Sequence, residues 1–399
     1  MEVGRMILLY CSDVAGAFDR VEQGRLSAKL DTCVLHPRIC TLLQSWLEPR
    51  ESRVVLDGVS SELRVLINSV FQGTVLGPPL WNIFYADSRH AVNDEGFEEV
   101  IFADDLNCSK QVPSDTTEEQ ALSALQNCQQ SLHRWGAANQ VLFDAGKESF
   151  HGLHRTKAFG EDFKILGVLF DCQLTMRSAI HEIATEAGWK VKSILRCRRF
   201  YNQAELVKLY KAQVLSFIES RTAAIHHAAP SVLDKLDRVQ RRFLREVGLS
   251  EVQALQNYKL APVPARRDIA MIGLLHRASH GQAPGPLTEL LVSGYVPIRC
   301  AWVSTRSGAR HGRQLPEFSD RPSVGHHTET LRRSCFGLVT VWNMLPADVA
   351  DAQSTKLCQR SVQNALIQRV MQAPDSDWQH FFLREARALP VHIFQRLFL

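Results

Sequence analysis

Met6-Ile-Leu-Leu-Tyr-Cys-Ser-Asp13-Val-Ala-Gly-Ala-Phe18-Asp19 is the stretch on which the reading of the first half of the chain turns. The run Met6–Cys11 is apolar without a break and stops at an acidic residue. A strand with one wet face alternates; a strand covered on both faces does not, so this run predicts a buried strand ending at Asp13. Val100–Ala103 repeats the pattern on a smaller scale and runs into Asp104-Asp105, where the strand should turn. Between them lies Gln72-Gly73-Thr74-Val75-Leu76-Gly77-Pro78, a loop before a helix predicted over 77–91, since proline is tolerated at a helix start.

Working outward, segments 22–31 and 37–47 have helical patterns. Ser52–Leu56 and Leu63–Ile67 flank Asp57-Gly58, a hairpin signal. Residues 117–137 predict a helix capped by Thr116 or Thr117, with Glu118 and Glu119 in its first turn. Phe163–Phe170 predicts another strand. After that the pattern is almost continuously helical over 178–280. Val232, Leu236, Val239, Phe243 and Val247 form an apolar stripe, with Arg238, Arg241, Arg242 and Arg245 on the other side. Gln282–Pro286 is rich in Gly and Pro and marks a boundary. Residues 294–328 read as loop-rich, and helical patterns return from about 329.

The chain has 399 residues, 45% hydrophobic and 22% charged, which excludes collagen-like, coiled-coil and wholly disordered classes. No apolar run approaches the ~20 residues of a membrane span, and the start MEVGRMILLY is too short in apolar residues for a signal peptide. The expectation is a soluble protein inside the cell, in the nucleus or cytoplasm, with no membrane partner. Ten cysteines occur without one C-x-x-C pair, which argues against zinc knuckles and disulfide scaffolds. The net charge of +4 divides unevenly. Residues 1–180 carry 16 Lys/Arg and 24 Asp/Glu, a net of −8; residues 181–399 carry 30 and 18, a net of +12. An acidic half joined to a basic half suits an enzyme that holds cations in one place and polyanions in another, and equally suits uneven surface charge.

Taken singly, each acidic motif has an ordinary explanation: strand ends meet solvent, and paired aspartates sit at hairpin tips. Taken together they are harder to explain without a cation. Carboxylates crowded near a core repel one another, and Mg²⁺ takes oxygen ligands from one or two carboxylates plus phosphates. Asp13 and Asp104 meet if a strand end and a hairpin tip are neighbours in one sheet.

The order of motifs resembles the palm of reverse transcriptases, specifically those of non-LTR retrotransposons. Asp13 with an aromatic five residues on (Phe18), then Gln72-Gly73, Phe102-Ala103-Asp104-Asp105, Gly146-Lys147 and Ile165-Leu166-Gly167-Val168 fall in family order over about 155 residues. LDKLDRVQRRFLR (233–245) resembles the segment after the palm in such elements. Arg332-Arg333-Ser334-Cys335-Phe336 through Trp342-Asn343-Met344-Leu345-Pro346 resembles their C-terminal tail.

The resemblance implies an α+β fold: a polymerase palm over 1–175, with a small antiparallel sheet packed on helices. A helical thumb-like domain would follow over 176–283, then a partly irregular, helical C-terminal region over 284–399. It implies RNA-directed DNA polymerisation by two-metal nucleotidyl transfer, with RNA template, DNA primer and dNTP as partners and two Mg²⁺ (or Mn²⁺) as cofactors. Asp13 and Asp104 would hold the metals, with Asp105 beside them. Phe18 would sit beneath the sugar of the nucleotide and exclude a 2′-hydroxyl. Gln72 and Gly73 would lie near the nascent base pair, Lys147 near the triphosphate, and Ile165–Val168 would form a primer-gripping hairpin. Arg238, Arg242 and Arg245 would contact phosphates, although Asp234–Arg238 and Asp237–Arg241 are also the i,i+4 pairs of any exposed helix.

Two departures matter. Ahead of Asp13 there is no counterpart of the basic fingers region of the family, nor of its endonuclease-like domain, so the chain reads as an N-terminally truncated copy. The loop carries Thr74 and Gly77 where the family usually has Ser. The alternative reading is therefore a catalytically inactive remnant that only binds nucleic acid. A maturase-type relative shares Ala-Asp-Asp palms, but no Cys/His nuclease tail is visible here.

Overall fold

The computed structural model describes residues 5–66, 70–292, 311–317, 328–373, 378–382 and 391–399. The apolar run becomes β1 (Arg5–Asp13), with Leu8 and Tyr10 wholly buried. Helices α1 (Gln23–Thr32) and α2 (Pro37–Leu47) follow, the second started by a proline at its first turn. Next come β2 (Arg50–Ser52), β3 (Val55–Leu56), β4 (Val59–Ser60) and β5 (Arg64–Leu66). The hairpin expected here exists in two stacked pieces, β2 with β5 and β3 with β4. Asp57 and Gly58 turn it with φ of 49° and 81°, the doubly positive geometry that favours Asp-Gly. Ile67, expected at its end, lies outside the described residues.

The helix expected over 77–91 is two helices, α3 (Gly77–Tyr85) and α4 (Ser88–Asn93). The break falls at Ala86-Asp87. Lys29 Nζ donates to Phe84 O at 2.5 Å and pairs with Asp87 at 2.8 Å, and Trp135 Nε1 donates to the same carboxylate at 3.0 Å. Those tertiary bonds replace the helical continuation, which periodicity within one segment cannot reveal.

Next, β6 (Glu98–Phe102) turns through Ala103-Asp104 into β7 (Asp105–Pro113). Helix α5 (Glu118–Asn139) starts at Thr117, in a capping box with Gln120. β8 (Ser149–Leu153) completes a four-stranded antiparallel sheet of order β6-β7-β1-β8. β1 has a partner on each side, and seven of its nine residues are buried, so both faces are covered, which explains its unbroken apolar run. The register sets Asp13 directly opposite Asp105. The strand expected over 163–170 is two strands, β9 (Phe163–Ile165) and β10 (Val168–Phe170), around Leu166-Gly167 with φ of 49° and 74°. One core unites Leu8, Tyr10, Leu106, Cys108 and Leu132 from sheet and helix with Trp81 and Phe84 of α3.

At this turn the chain passes from one compact unit to another. The first unit holds residues 3–167 with 172–174; the second holds 168–171 and 175–399. The second unit is helical: α6 (Arg177–Arg196), α7 (Gln203–Tyr210), a π-helical segment Lys211–Leu215, α8 (Ser216–Glu219), α9 (Thr222–Ile225), α10 (Pro230–Glu246), α11 (Glu251–Tyr258) and α12 (Val263–Ser279). It goes on through α13 (Gly285–Val292), α14 (Thr328–Arg333), α15 (Val339–Asn343), α16 (Ala347–Ala350), α17 (Thr355–Gln372) and α18 (Val391–Arg396). The stripe read from 232–247 buries Val232, Leu236, Val239 and Phe243 on α10. α12 buries 12 of its 17 residues. Of the loop-rich stretch 294–328, residues 311–317 are described and carry neither helix nor strand, and α14 begins at 328; residues 294–310 and 318–327 lie outside the described residues. Gly285, inside the Gly/Pro stretch, starts α13.

Among the described residues the cysteines form no disulfide with one another, and Cys300 lies outside them. Among the described residues no helix is long and apolar enough to cross a membrane.

Candidate active site

Asp13 ends the central strand and Asp104-Asp105 occupy the turn into its neighbour, so pairing of β1 with β7 brings three carboxylates to one edge of the sheet. One oxygen from each of Asp13, Asp104 and Asp105 lies within 4.8 Å of the other two. The turn is held from two sides. Ala103 adopts a φ of 58°, and its carbonyl accepts from Trp81 Nε1 of α3 at 2.6 Å. Asp104 O accepts from Val14 N at 3.3 Å.

A second loop closes on the same strand end. Asp144 N donates to Asp13 O at 3.0 Å, and Ala15 N donates to Leu142 O at 2.9 Å. Asp144 then makes an Asx turn: its side chain accepts from Gly146 N at 3.0 Å, and its carbonyl accepts from Lys147 N at 2.8 Å. Glu148 fixes the far side, accepting from Gln129 at 3.0 Å, from Tyr10 OH, and contacting His133 Nε2 at 2.7 Å. The result is that Lys147 Nζ forms an ion pair with Asp13 Oδ2 and lies 3.9 Å from Asp144.

The charges are not balanced by that one lysine. Asp105 has its pKa raised, first by burial and then by Asp13 and Asp104, with Lys147 opposing. Lys147 is raised through its hydrogen bond to Asp13 and stays protonated. A site of hard oxygen donors with surplus negative charge fits a hard divalent cation. Asp13, Asp104 and Asp105 are the residues able to hold such ions.

Phe18 follows in a 3₁₀ turn, Ala17–Arg20. Its ring centroid is 6.1 Å from that of Trp81, the residue that holds the Ala103 turn. Phe18 O accepts from Val70 N at 2.9 Å, which ties it to the base of the 71–76 loop. Within that loop Gln72 and Gly73 are exposed, and Gly73 has φ +80°. Thr74 Oγ1 donates to Phe71 O at 2.6 Å and accepts from Gly77 N at 3.2 Å, so the hydroxyl that replaces Ser performs both bonds. Gly77 sits in a tight spot: a Cβ there would stand 3.2 Å from Phe71 O and 3.3 Å from the Phe18 ring, so a side chain needs those neighbours to give by a few tenths of an ångström.

Asp13, Asp104, Asp105 and Lys147 are thus gathered in one place, with Phe18 reached through Trp81. Trp81 and Asp144 are the positioning residues that motif reading missed. Asp144-Ala-Gly is an Asx-turn signature that was open to reading; nothing in the sequence aims the Trp81 indole at Ala103.

Arg238, Arg242 and Arg245 lie on α10 of the second unit. Arg238 pairs with Asp234 at 2.6 Å, as the spacing predicts. The Asp237–Arg241 pair does not form. Asp237 is taken by the buried Arg267 at 2.6 Å, and Arg241 reaches Asp234 instead. Arg242 and Arg245 are exposed, with no ion pair among the described residues.

Residues 4–168 match the family described as "Reverse transcriptase (RNA-dependent DNA polymerase)". This stretch holds the sheet and all three carboxylates. The chain is similar to the RNA-directed DNA polymerase from mobile element jockey of Drosophila funebris, 29% identical over 254 residues, and to that of Drosophila melanogaster, 27% identical over 261. Each match covers 59% of this chain and 28% of the relative.

Proposed function

We propose that the chain is the RNA-directed DNA polymerase part of a non-LTR retrotransposon protein and that Asp13, Asp104 and Asp105 carry its chemistry. The observation that supports this most is the meeting of the three carboxylates at one sheet edge, within the segment that matches the reverse-transcriptase family.

Bound there, divalent ions supply the Lewis acidity that two-metal nucleotidyl transfer needs. The protein's own part is positional. Asp13 and Asp105 are fixed by the β1–β7 register, and Asp104 by the Trp81-held turn. Lys147 holds a proton on Nζ and can offer it, or its charge, to phosphate oxygens once it leaves Asp13. The attacking primer 3′-hydroxyl gives up its proton to solvent water as its oxygen forms a bond to the α-phosphorus of a dNTP, and the bond from that phosphorus to the pyrophosphate leaving group breaks. Phe18, anchored against Trp81, forms the floor under the sugar and discriminates against ribose. Gln72 and Gly73 contribute an open loop for the base pair.

The test is primer extension by residues 1–399 with oligo-dT on poly-rA in Mg²⁺ or Mn²⁺. Extension that disappears in Asp104→Asn is the expected result. Extension that persists in that variant overturns the assignment of the carboxylates. Absence of extension by the unmutated chain, with salt-sensitive template binding intact, supports the second reading, a binding remnant, which the +12 charge of residues 181–399 favours.

A further inference from the structure

The seam between α12 and α17 in the second unit contains an open cleft of about 400 Å³ whose charge is unbalanced. Lys259, Arg266, Lys356 and Arg360 line it against a single carboxylate, Glu219. That carboxylate is committed to Arg266, with which it is ion-paired. Gln363 organises the floor: its carboxamide oxygen accepts from Arg266 Nη1 at 3.4 Å, and its NH₂ donates to Lys259 O at 3.1 Å. The Arg266 fork is therefore held in place with Nη2 unused among the described residues. Lys259, Lys356 and Arg360 have no ion pair among the described residues, and all three are exposed.

The surplus is felt next door. Lys211 donates to Tyr258 O, and its pKa is pushed down by burial and then by Arg266 and Lys259. Lys211 also opens the π-helical segment Lys211–Leu215. Such widened turns are rare and concentrate at functional sites. Like charges gathered on a concave surface cost free energy until an anion neutralises them, and the concavity focuses the field that attracts one.

The occupant that fits is a row of phosphates. Phosphodiester oxygens accept hydrogen bonds and do not donate, matching guanidinium, ammonium and carboxamide donors. Lys356 and Arg360 are one turn apart on α17, about 6 Å along the axis, an interval of the order of one nucleotide step. We propose that this cleft binds consecutive phosphates of a single nucleic-acid strand, as a contact separate from the carboxylate cluster of the first unit. The inference rests on the reading that the chain handles nucleic acid; it does not need that reading's chemistry.

Anisotropy of a labelled oligo-rA strand, titrated at several salt concentrations, tests it. The Lys356→Gln/Arg360→Gln double variant alters two exposed side chains, and an unchanged circular dichroism melt verifies its fold. Losing two phosphate contacts at about 0.7 each lowers the slope of log K against log salt by about 1.4. The advantage of the unmutated chain over the variant then shrinks about sevenfold between ~50 and ~200 mM salt. Asp104→Asn should bind with the original slope, so loss of extension in that variant and loss of binding in the other are separate failures. Equal slopes and affinities for the double variant and the unmutated chain overturn the proposal. Two further results also overturn it. One is sodium tripolyphosphate raising the melting point of the unmutated chain alone while strand binding is identical, which means a small-anion site. The other is poly-glutamate displacing the strand as well as unlabelled oligo-rA does, which means a site for acidic peptide.

Discussion

Replacing Asp105 by Asn should make the metal-free protein more stable and the metal-loaded protein less so. In the unmutated chain three carboxylates offer oxygens within 4.8 Å of one another. At that separation one pair of like charges costs about 0.9 kcal/mol at the dielectric of water and more near protein. Asp105 faces two such neighbours, about 1.7 kcal/mol, of which Lys147 offsets part, leaving about 1 kcal/mol to be relieved by the neutral amide. That corresponds to a rise of about 2–4 °C in melting midpoint for a unit of this size. The pH dependence has a definite sign. The folded pKa of Asp105 is raised above 3.8, so the folded state binds the extra proton and stability falls as pH rises through that window. The variant should lack this decline. The assay is thermal melting in EDTA and in MgCl₂ from mildly acidic to neutral pH. Mg²⁺ should stabilise the unmutated chain much more than the variant. A variant that melts lower in EDTA at neutral pH, or gains as much from Mg²⁺ as the original, refutes both the repulsion argument and the assignment of a cation to this edge.

Other outcomes are equally definite. Lys147→Ala removes the competitor for Asp13, so calorimetric titration should show tighter Mg²⁺ binding, while primer extension weakens. Phe18→Val should raise ribonucleotide incorporation relative to deoxynucleotide, measured as a ratio of kcat/KM values. Gly152→Ala should cost about 1–3 kcal/mol in urea unfolding, because its Cβ would stand 2.1 Å from Phe159 Cε1 and the ring has to move. His151 is pushed down to about 4 by burial, so stability should be lost as pH falls from 6.5 toward 4, by up to about 3 kcal/mol. His151→Gln should flatten that limb of the profile.

The carboxylate site was legible because its elements are local. A strand read from Met6–Cys11 and a turn read from Asp104-Asp105 needed only to be neighbours, and the register supplies that. The Asp57-Gly58 turn was legible for the same reason: two residues carry its geometry. What the chain hid is tertiary. Helix α3 ends at Tyr85, and the break at Ala86-Asp87 is held by Lys29 and Trp135, distant in sequence, which both bond the Asp87 carboxylate. Asp237 abandons the partner one turn away for Arg267, thirty residues on, whose guanidinium fork donates to both carboxylate oxygens. Trp81 supports Ala103 through an indole N–H whose direction no periodicity encodes.

The burial of α12 bears on how such a chain can change over time. Arg267 ties it to α10, the His226–Asp268 pair ties it to α9, and Ile272 and Leu275 share a core with Trp342 and Val362. A polypeptide ended near residue 283 would leave those apolar side chains of α12 facing water. The helical half should therefore melt in one step. The described helices after residue 283 are to that interior what a keystone is to an arch: Trp342, Val362 and Phe394 fill the side of α12 that its earlier neighbours leave open.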